Sequence, residues 1–102
     1  MKNNDIAEVS ILIRRDFSLG NEELVQQTTM DELKVKLTQI VTYLLDKDFE
    51  KFLHAMYRMD INEETLKIAL ASDPPEQVAP NVAELIIQRE LQKVETRKKY
   101  KE

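Results

Sequence analysis

The chain has 102 residues, of which 42% are hydrophobic and 33% are charged, and its formal net charge is −4; this length suits one domain with one core. It contains one Gly, three Pro and no Cys, which excludes a disulfide framework, a thiolate nucleophile, a Cys-based zinc site and a Gly-rich phosphate loop. So few turn-forming residues also disfavour a β fold with many turns, and the composition therefore predicts an all-α protein.

The first predicted element covers residues 6–17, where two periodicities compete. The apolar residues at helical spacing are Ile6, Val9, Ile13 and Phe17. Val9, Ile11 and Ile13 also recur at every second residue, as apolar residues do in a strand. We favour a helix because no other segment offers a strand partner, and an isolated strand is not stable in water. Gly20 would close this helix, and a short helical turn would follow in residues 21–27.

Three helices are predicted in the middle of the chain, and each has a capping residue at its start. Thr29 and Glu32 have the spacing of a capping box, in which each side chain satisfies a free backbone N–H of the other residue. Asp48 caps the next helix, and Asn62 opens a short one. The apolar stripes that we assign to the core are Leu33, Leu37, Ile40, Val41 and Leu44; Phe49, Phe52, Leu53 and Met56; and Leu66, Ala69 and Leu70.

The last predicted helix is the longest. Its approach carries Asp73 as a cap, Pro74 at a first helical position and Glu76 in the place that completes a capping box. Pro80 then redirects the chain, and the helix that follows spans about 20 residues, or roughly 30 Å. Its apolar stripe consists of Val82, Leu85, Ile86, Ile87, Leu91 and Val94.

These elements predict a compact all-α bundle of four to five short helices with a longer C-terminal helix. We assign residues 1–94 to a single helical domain, because the last apolar stripe stops at Val94. Residues 95–102 form a charged end of the last helix that projects or frays. Neither a signal peptide nor a membrane span is predicted, so we expect a cytoplasmic protein.

The sequence offers only weak candidates for chemistry. His54 is the only His in the chain, the residue type most used in acid–base chemistry, and Glu50 and Arg58 lie four residues to either side of it on the same helical face. Such neighbours are usual on an amphipathic helix, and no Ser, Cys or second His stands nearby. Residues 60–65 copy the first ligand positions of a calcium loop, but Thr65 replaces its obligatory Gly and helix capping explains the same residues. We therefore predict no enzymatic activity, catalytic residue, metal or cofactor.

One candidate partner surface lies in the third predicted helix. It consists of Met56, Tyr57, Arg58 and Met59, which make the helix apolar over more than one face. Tyr, Met and Arg are enriched at protein interfaces. Core packing is the favoured interpretation of this group, and a groove or dimer surface is the alternative.

A second candidate surface is the basic end of the chain. Residues 88–102 carry six Lys or Arg against three Glu, a charge of +3 that leaves −7 for the remainder. Its candidate contact residues are Arg89, Lys93, Arg97, Lys98, Lys99 and Tyr100. A solvated helix terminus accounts for these charges, because cations complement the C-terminal end of the helix dipole. The alternative is an arm that docks on an acidic protein surface or on a nucleic acid.

The favoured hypothesis is a small soluble helical protein–protein interaction module, an adaptor or regulatory subunit that binds another protein or forms a homodimer. One alternative is a nucleic-acid-associated regulator that uses the basic tail, although the acidic body opposes it. A second alternative is an enzyme or ligand-binding protein centred on His54. Membrane binding is not expected, because the basic stretch lacks an apolar face that could insert.

Overall fold

The chain folds into helices joined by short turns. The computed structural model describes residues 3–17 and 29–100. Within these ranges the helices are α1 (Asn3–Phe17), α2 (Met30–Lys47), α3 (Phe49–Met59), α4 (Glu63–Leu70) and α5 (Val78–Tyr100), and a 3-10 turn at Pro75–Gln77 precedes α5. The predicted all-α bundle with a longer C-terminal helix is confirmed. The helical turn predicted around residues 21–27, and its closure by Gly20, lie outside the described residues.

The N-terminal segment is a helix, as favoured over the strand. Val9 and Ile13 are buried while Ile11 between them is exposed, whereas a strand would turn all three side chains to one face. The buried face of α1 consists of Ile6, Val9, Leu12, Ile13 and Phe17. This face follows the helical period, so burial of one amphipathic face decides the ambiguity.

The three helix starts predicted in the middle of the chain are confirmed by their capping hydrogen bonds. The Thr29 hydroxyl accepts from the Glu32 backbone N–H at 3.1 Å, and the Glu32 carboxylate accepts from the Thr29 N–H at 3.0 Å. The Asp48 and Asn62 side chains each accept from the backbone N–H three residues on, at 3.1 and 2.9 Å. Local sequence therefore sets where these helices begin.

The predicted start of the last helix is wrong by two residues. α5 begins at Val78, with Pro80 as its third residue, and no side-chain cap forms at the preceding 3-10 turn. Asp73 and Glu76 therefore do not make the predicted capping box. Pro80 is tolerated inside the helix because an N–H in the first turn has no intrahelical acceptor.

The core is built around α5, which packs against each of the other four helices. Its inward residues are Val82, Ala83, Ile86, Ile87 and Val94. They join one continuous apolar cluster with the buried faces of α1, α2, α3 and α4. The radius of gyration is 13.2 Å, close to the value of about 13 Å for a compact domain of this length. Among the described helices, none is long and apolar enough to cross a membrane.

The buried face of α3 differs from the predicted one. It consists of Phe52, Ala55, Met56 and Met59. Phe49 and Leu53, which the sequence assigned to the core, are exposed. The physical reason is that α3 packs against α1, α2 and α5 on one side only. A helix with apolar residues on two faces can turn only one of them inward.

Candidate functional site

The outer face of α3 carries an apolar stripe, which consists of Phe49, Leu53 and Tyr57. Their exposed fractions are 46%, 43% and 87%. They recur every four residues, so they lie along one line of the helix surface. Single exposed apolar residues are ordinary, but aligned large side chains are typical of protein interaction surfaces. The α3 stripe is therefore a candidate docking surface.

A row of polar residues runs beside the α3 stripe. Glu50, His54 and Arg58 also recur every four residues, and all three are exposed. They line one side of a cleft of about 230 Å³, whose other side includes Asp16 and Phe17 from the end of α1. The negative end of this row lies at the start of α3 and the positive end at its last turn. This order complements the helix dipole.

The structure separates the four residues predicted as a partner surface on α3. Met56 and Met59 are buried in the core, where they fill space between the helices. Tyr57 and Arg58 are exposed. A docking surface on the outer side of α3 would therefore consist of Tyr57 and Arg58 together with Phe49 and Leu53. It would not include the two methionines.

A buried ionisable cluster lies between α1 and α5. Glu90 is 0% exposed and Asp16 is 4% exposed. The Lys93 Nζ lies 3.4 Å from Glu90 Oε2 and 3.6 Å from Asp16 Oδ2, while Arg15 Nε pairs with Asp16 Oδ1 at 3.1 Å. Among the described residues, neither Asp16 Oδ2 nor either Glu90 oxygen accepts a hydrogen bond, so the Lys93 contacts are ion pairs only. A proton shared between one oxygen of each carboxyl group would satisfy two of these three atoms.

The two carboxyl groups have pKa values shifted in opposite directions. Burial, a hydrogen bond with Asp16 and the Asp16 charge raise the pKa of Glu90 to about 7, against the opposing charge of Lys93. For Asp16, burial acts to raise the pKa, but hydrogen bonds with Glu90 and Arg15 and the charges of Arg15 and Lys93 lower it overall. Glu90 is therefore the group of this pair that takes up a proton more readily, and Asp16 is the group that stays ionised to lower pH.

The buried cluster of Asp16, Glu90 and Lys93 was not predicted from the sequence. Glu90 stands four residues after Ile86 and four before Val94, so it occupies a central position of the apolar stripe of α5. Its spacing was a detectable signal, because a carboxylate flanked in this way must be buried with the stripe. Asp16 gave a weaker signal beside Phe17, the last apolar residue of α1.

Two of the six candidate contact residues in the basic segment are engaged with the body of the protein. Arg89 Nε donates to the backbone oxygen of Met59 at 3.0 Å, and its Nη2 lies 3.4 Å from Asp60 Oδ2. It thus covers the C-terminal end of α3, where a cation is favourable. Lys93 belongs to the buried cluster. A docking arm could therefore use only the cations beyond Val94.

The remaining candidate residues of the basic segment lie in the last turns of α5. Arg97 and Lys99 are exposed, and Lys98 is partly buried. Tyr100 ends the helix, and its side chain lies outside the description. α5 therefore continues as helix past the last buried apolar residue, Val94.

A polar groove of about 400 Å³ lies between α4 and α5. Its lining includes Asn62, Thr65, Gln88 and Gln92, with Arg89 at one side. Gln88 donates to Glu84 at 2.8 Å, and Arg89 donates to Gln92 at 2.9 Å. These bonds already use several of the groove's donors. Within the described ranges, no group of three or more His, Asp or Glu residues is placed to hold a metal ion.

Comparison with protein families, with curated proteins and with solved structures found no match for this chain.

Proposed function

We propose that the protein is a small cytoplasmic protein–protein interaction module, an adaptor or regulatory subunit that docks through the outer face of α3. The observation that carries the proposal is the alignment of Phe49, Leu53 and Tyr57 on an exposed helix face. Burying a large apolar side chain is worth about 1.5–3 kcal/mol. Three such side chains in one line supply an energetic reason for association.

The composition of the α3 stripe also supports this function. Aromatic residues and Arg are the side chains that most often dominate binding energy at interfaces. Tyr57 and Arg58 are adjacent at the C-terminal end of the stripe, and Phe49 lies at the other end. The polar row of Glu50, His54 and Arg58 would then form the rim of the interface.

The alternative functions have less support. An arm that binds nucleic acid could not use Arg89 and Lys93, because both contact the rest of the protein. The remaining body of the protein is acidic. A site centred on His54 has a small open cleft with charged neighbours, and among the described residues that line it there is no Ser, Thr or Cys for His54 to activate. We therefore do not propose a second function.

The proposal is tested by affinity capture, in which a tagged form of the protein binds its partners from lysate of the source organism. An untagged copy of the chain is also present in the lysate. The bait proteins are the wild type, the Leu53→Glu variant and the Ile68→Glu variant. Leu53→Glu places a charge in the α3 stripe. Ile68 is 73% exposed on α4, outside that stripe, so its variant is the matched control for an added surface charge.

We expect a stoichiometric protein that the wild type and Ile68→Glu retain and that Leu53→Glu loses. The loss should be at least about tenfold, since a charge desolvated in an apolar contact costs more than 1.4 kcal/mol. Equal capture by all three baits would contradict docking through α3. Far-UV circular dichroism of each bait establishes that the variants fold.

A further inference from the structure

We propose that the occupant of the α3 stripe is a second copy of this chain, so that two α3 helices pack antiparallel about a two-fold axis near Leu53 and His54. This inference rests on the proposed function and names its partner. Two properties of the outer face of α3 lead to it: the spacing of its apolar residues and the order of its charges.

The apolar stripe is symmetric about its centre. Phe49 lies four residues before Leu53, and Tyr57 lies four residues after it. When an identical helix approaches in the opposite direction, the Phe49 of each copy meets the Tyr57 of the other and the two Leu53 side chains meet at the axis. A two-fold interface requires such a self-complementary patch. Aromatic pairs at both ends would add to the buried apolar area.

The charges beside the stripe are complementary in the same arrangement. Glu50 lies four residues before His54, and Arg58 lies four residues after it. Antiparallel packing places each Glu50 opposite Arg58 of the other copy, and symmetry makes this pair twice. Parallel packing would instead put the polar rows of the two copies on opposite sides of the contact and leave these charges without a partner across it. The charge order therefore selects the antiparallel orientation.

Arg58 is placed where it can serve such a pair. Its Nη1 lies 3.5 Å from the backbone oxygen of Asp16, a long contact that directs the guanidinium along the end of α1. A guanidinium has five N–H donors in a planar fork. It can keep this contact and still pair with a carboxylate of another molecule.

The size of the patch predicts a weak dimer. Stable interfaces bury about 800 Å² on each partner, and three partly exposed side chains with their polar rim provide less. We therefore expect association that depends on protein concentration and reverses on dilution.

The experiment is sedimentation velocity over a broad micromolar concentration range, applied to a charge-exchange cycle. The variants are Glu50→Arg, Arg58→Glu and the double exchange. Each single exchange creates two like-charge pairs and should weaken the dimer by about tenfold. The double exchange restores opposite charges at both positions, and its dissociation constant should return to within about threefold of the wild type.

Two further variants separate failure of this inference from failure of the proposed function. Leu53→Glu should abolish the dimer, and Ile68→Glu should leave it unchanged. If the wild-type protein stays monomeric at every concentration, the partner of the α3 stripe is not a second copy of this chain. The proposed function survives that result if Leu53→Glu still loses a different protein in the capture experiment.

Other outcomes are equally decisive. A dimer that persists in Leu53→Glu places the dimer interface elsewhere and contradicts the α3 dimer, while the capture experiment still tests the proposed function. Failure of the double exchange to restore the dimer, with all variants folded by circular dichroism, rules out the antiparallel arrangement.

Discussion

At the scale of single residues, Glu90 is the most unusual side chain in the structure, because it places a carboxyl group inside an apolar stripe. Burial of an ionised carboxylate without full hydrogen bonding is costly. A protonated Glu90 can donate to Asp16, whose negative charge is balanced by Lys93. With that proton Asp16, Glu90 and Lys93 sum to zero charge, and without it these three groups carry one net negative charge beside the exposed Arg15.

Replacement of Glu90 by Gln should therefore change how stability depends on pH. The folded-state pKa of Glu90 is raised to about 7 from an ordinary value of 4.5, so the folded state holds the proton more tightly than the unfolded state. Wild-type stability should fall as pH rises through this interval, by up to about 3 kcal/mol. Glu90→Gln keeps a donor for Asp16 without a titrating proton. We expect it to match the wild type near pH 5 and to be more stable near pH 8, as measured by urea unfolding.

The matched control is Glu84→Gln on the same helix. The pKa of Glu84 is lowered by hydrogen bonds with Gln88 and Lys34 and by the Lys34 charge, against weak burial. Its contribution has the opposite sign, so this variant should gain nothing at pH 8. A wild-type protein equally stable at both pH values would show that Glu90 is ionised without cost.

At the scale of elements, α3 is a helix with two apolar faces and different roles for each. Its inner face is buried in the core, and its outer face carries the α3 stripe. Its ends are fixed by polar contacts. Asp48 caps the start, and Asp60 adopts a left-handed conformation with φ 58° and ψ 47° beyond the last turn.

The two faces of α3 should respond differently to truncation. Met59→Ala removes a fully buried side chain and should lower the free energy of unfolding by about 2–5 kcal/mol. Leu53→Ala should cost less than about 1 kcal/mol, because the side chain is already partly in water. Urea unfolding followed by circular dichroism, at concentrations low enough to keep the chain monomeric, measures both. Equal losses would mean that the outer face of α3 is also buried in the folded monomer.

At the scale of the whole molecule, α5 joins the other four helices into one core. Its contacts extend from the end of α4, where Asn81 donates to the Ser72 hydroxyl at 2.9 Å, to the buried cluster with α1. Because the other described helices all pack against α5, we expect the protein to unfold as a single unit.

Ile86→Ala tests this organisation. Ile86 is fully buried at the centre of α5, so its truncation should lower the free energy of unfolding by about 2–5 kcal/mol while the protein keeps a single urea transition. Ile68→Ala, on the exposed side of α4, should change it by less than about 0.5 kcal/mol. Two separate transitions in the Ile86 variant would show that part of the bundle is stable without α5.

The candidate site could be predicted only in part. The sequence predicted Met56, Tyr57, Arg58 and Met59 as core residues or, alternatively, as a contact surface, and only Tyr57 and Arg58 are exposed. Spacing placed Glu50 and His54 on one helical face with Arg58. It assigned Phe49 and Leu53 to the core instead of the surface. Either face of α3 is apolar enough to be buried, and the spacing of residues in the sequence does not show which face turns inward.

The amino-acid sequence by itself determined the helical class and the capped starts of α2, α3 and α4, because hydrophobic period and capping act over a few residues. The tertiary structure alone decided which face of α3 points inward, that α5 begins before Pro80, and that Arg89 and Lys93 are held by the body of the protein. It also brought Asp16 to Glu90 from 74 positions away in the chain. These outcomes depend on what each helix packs against, and a local pattern does not contain that information.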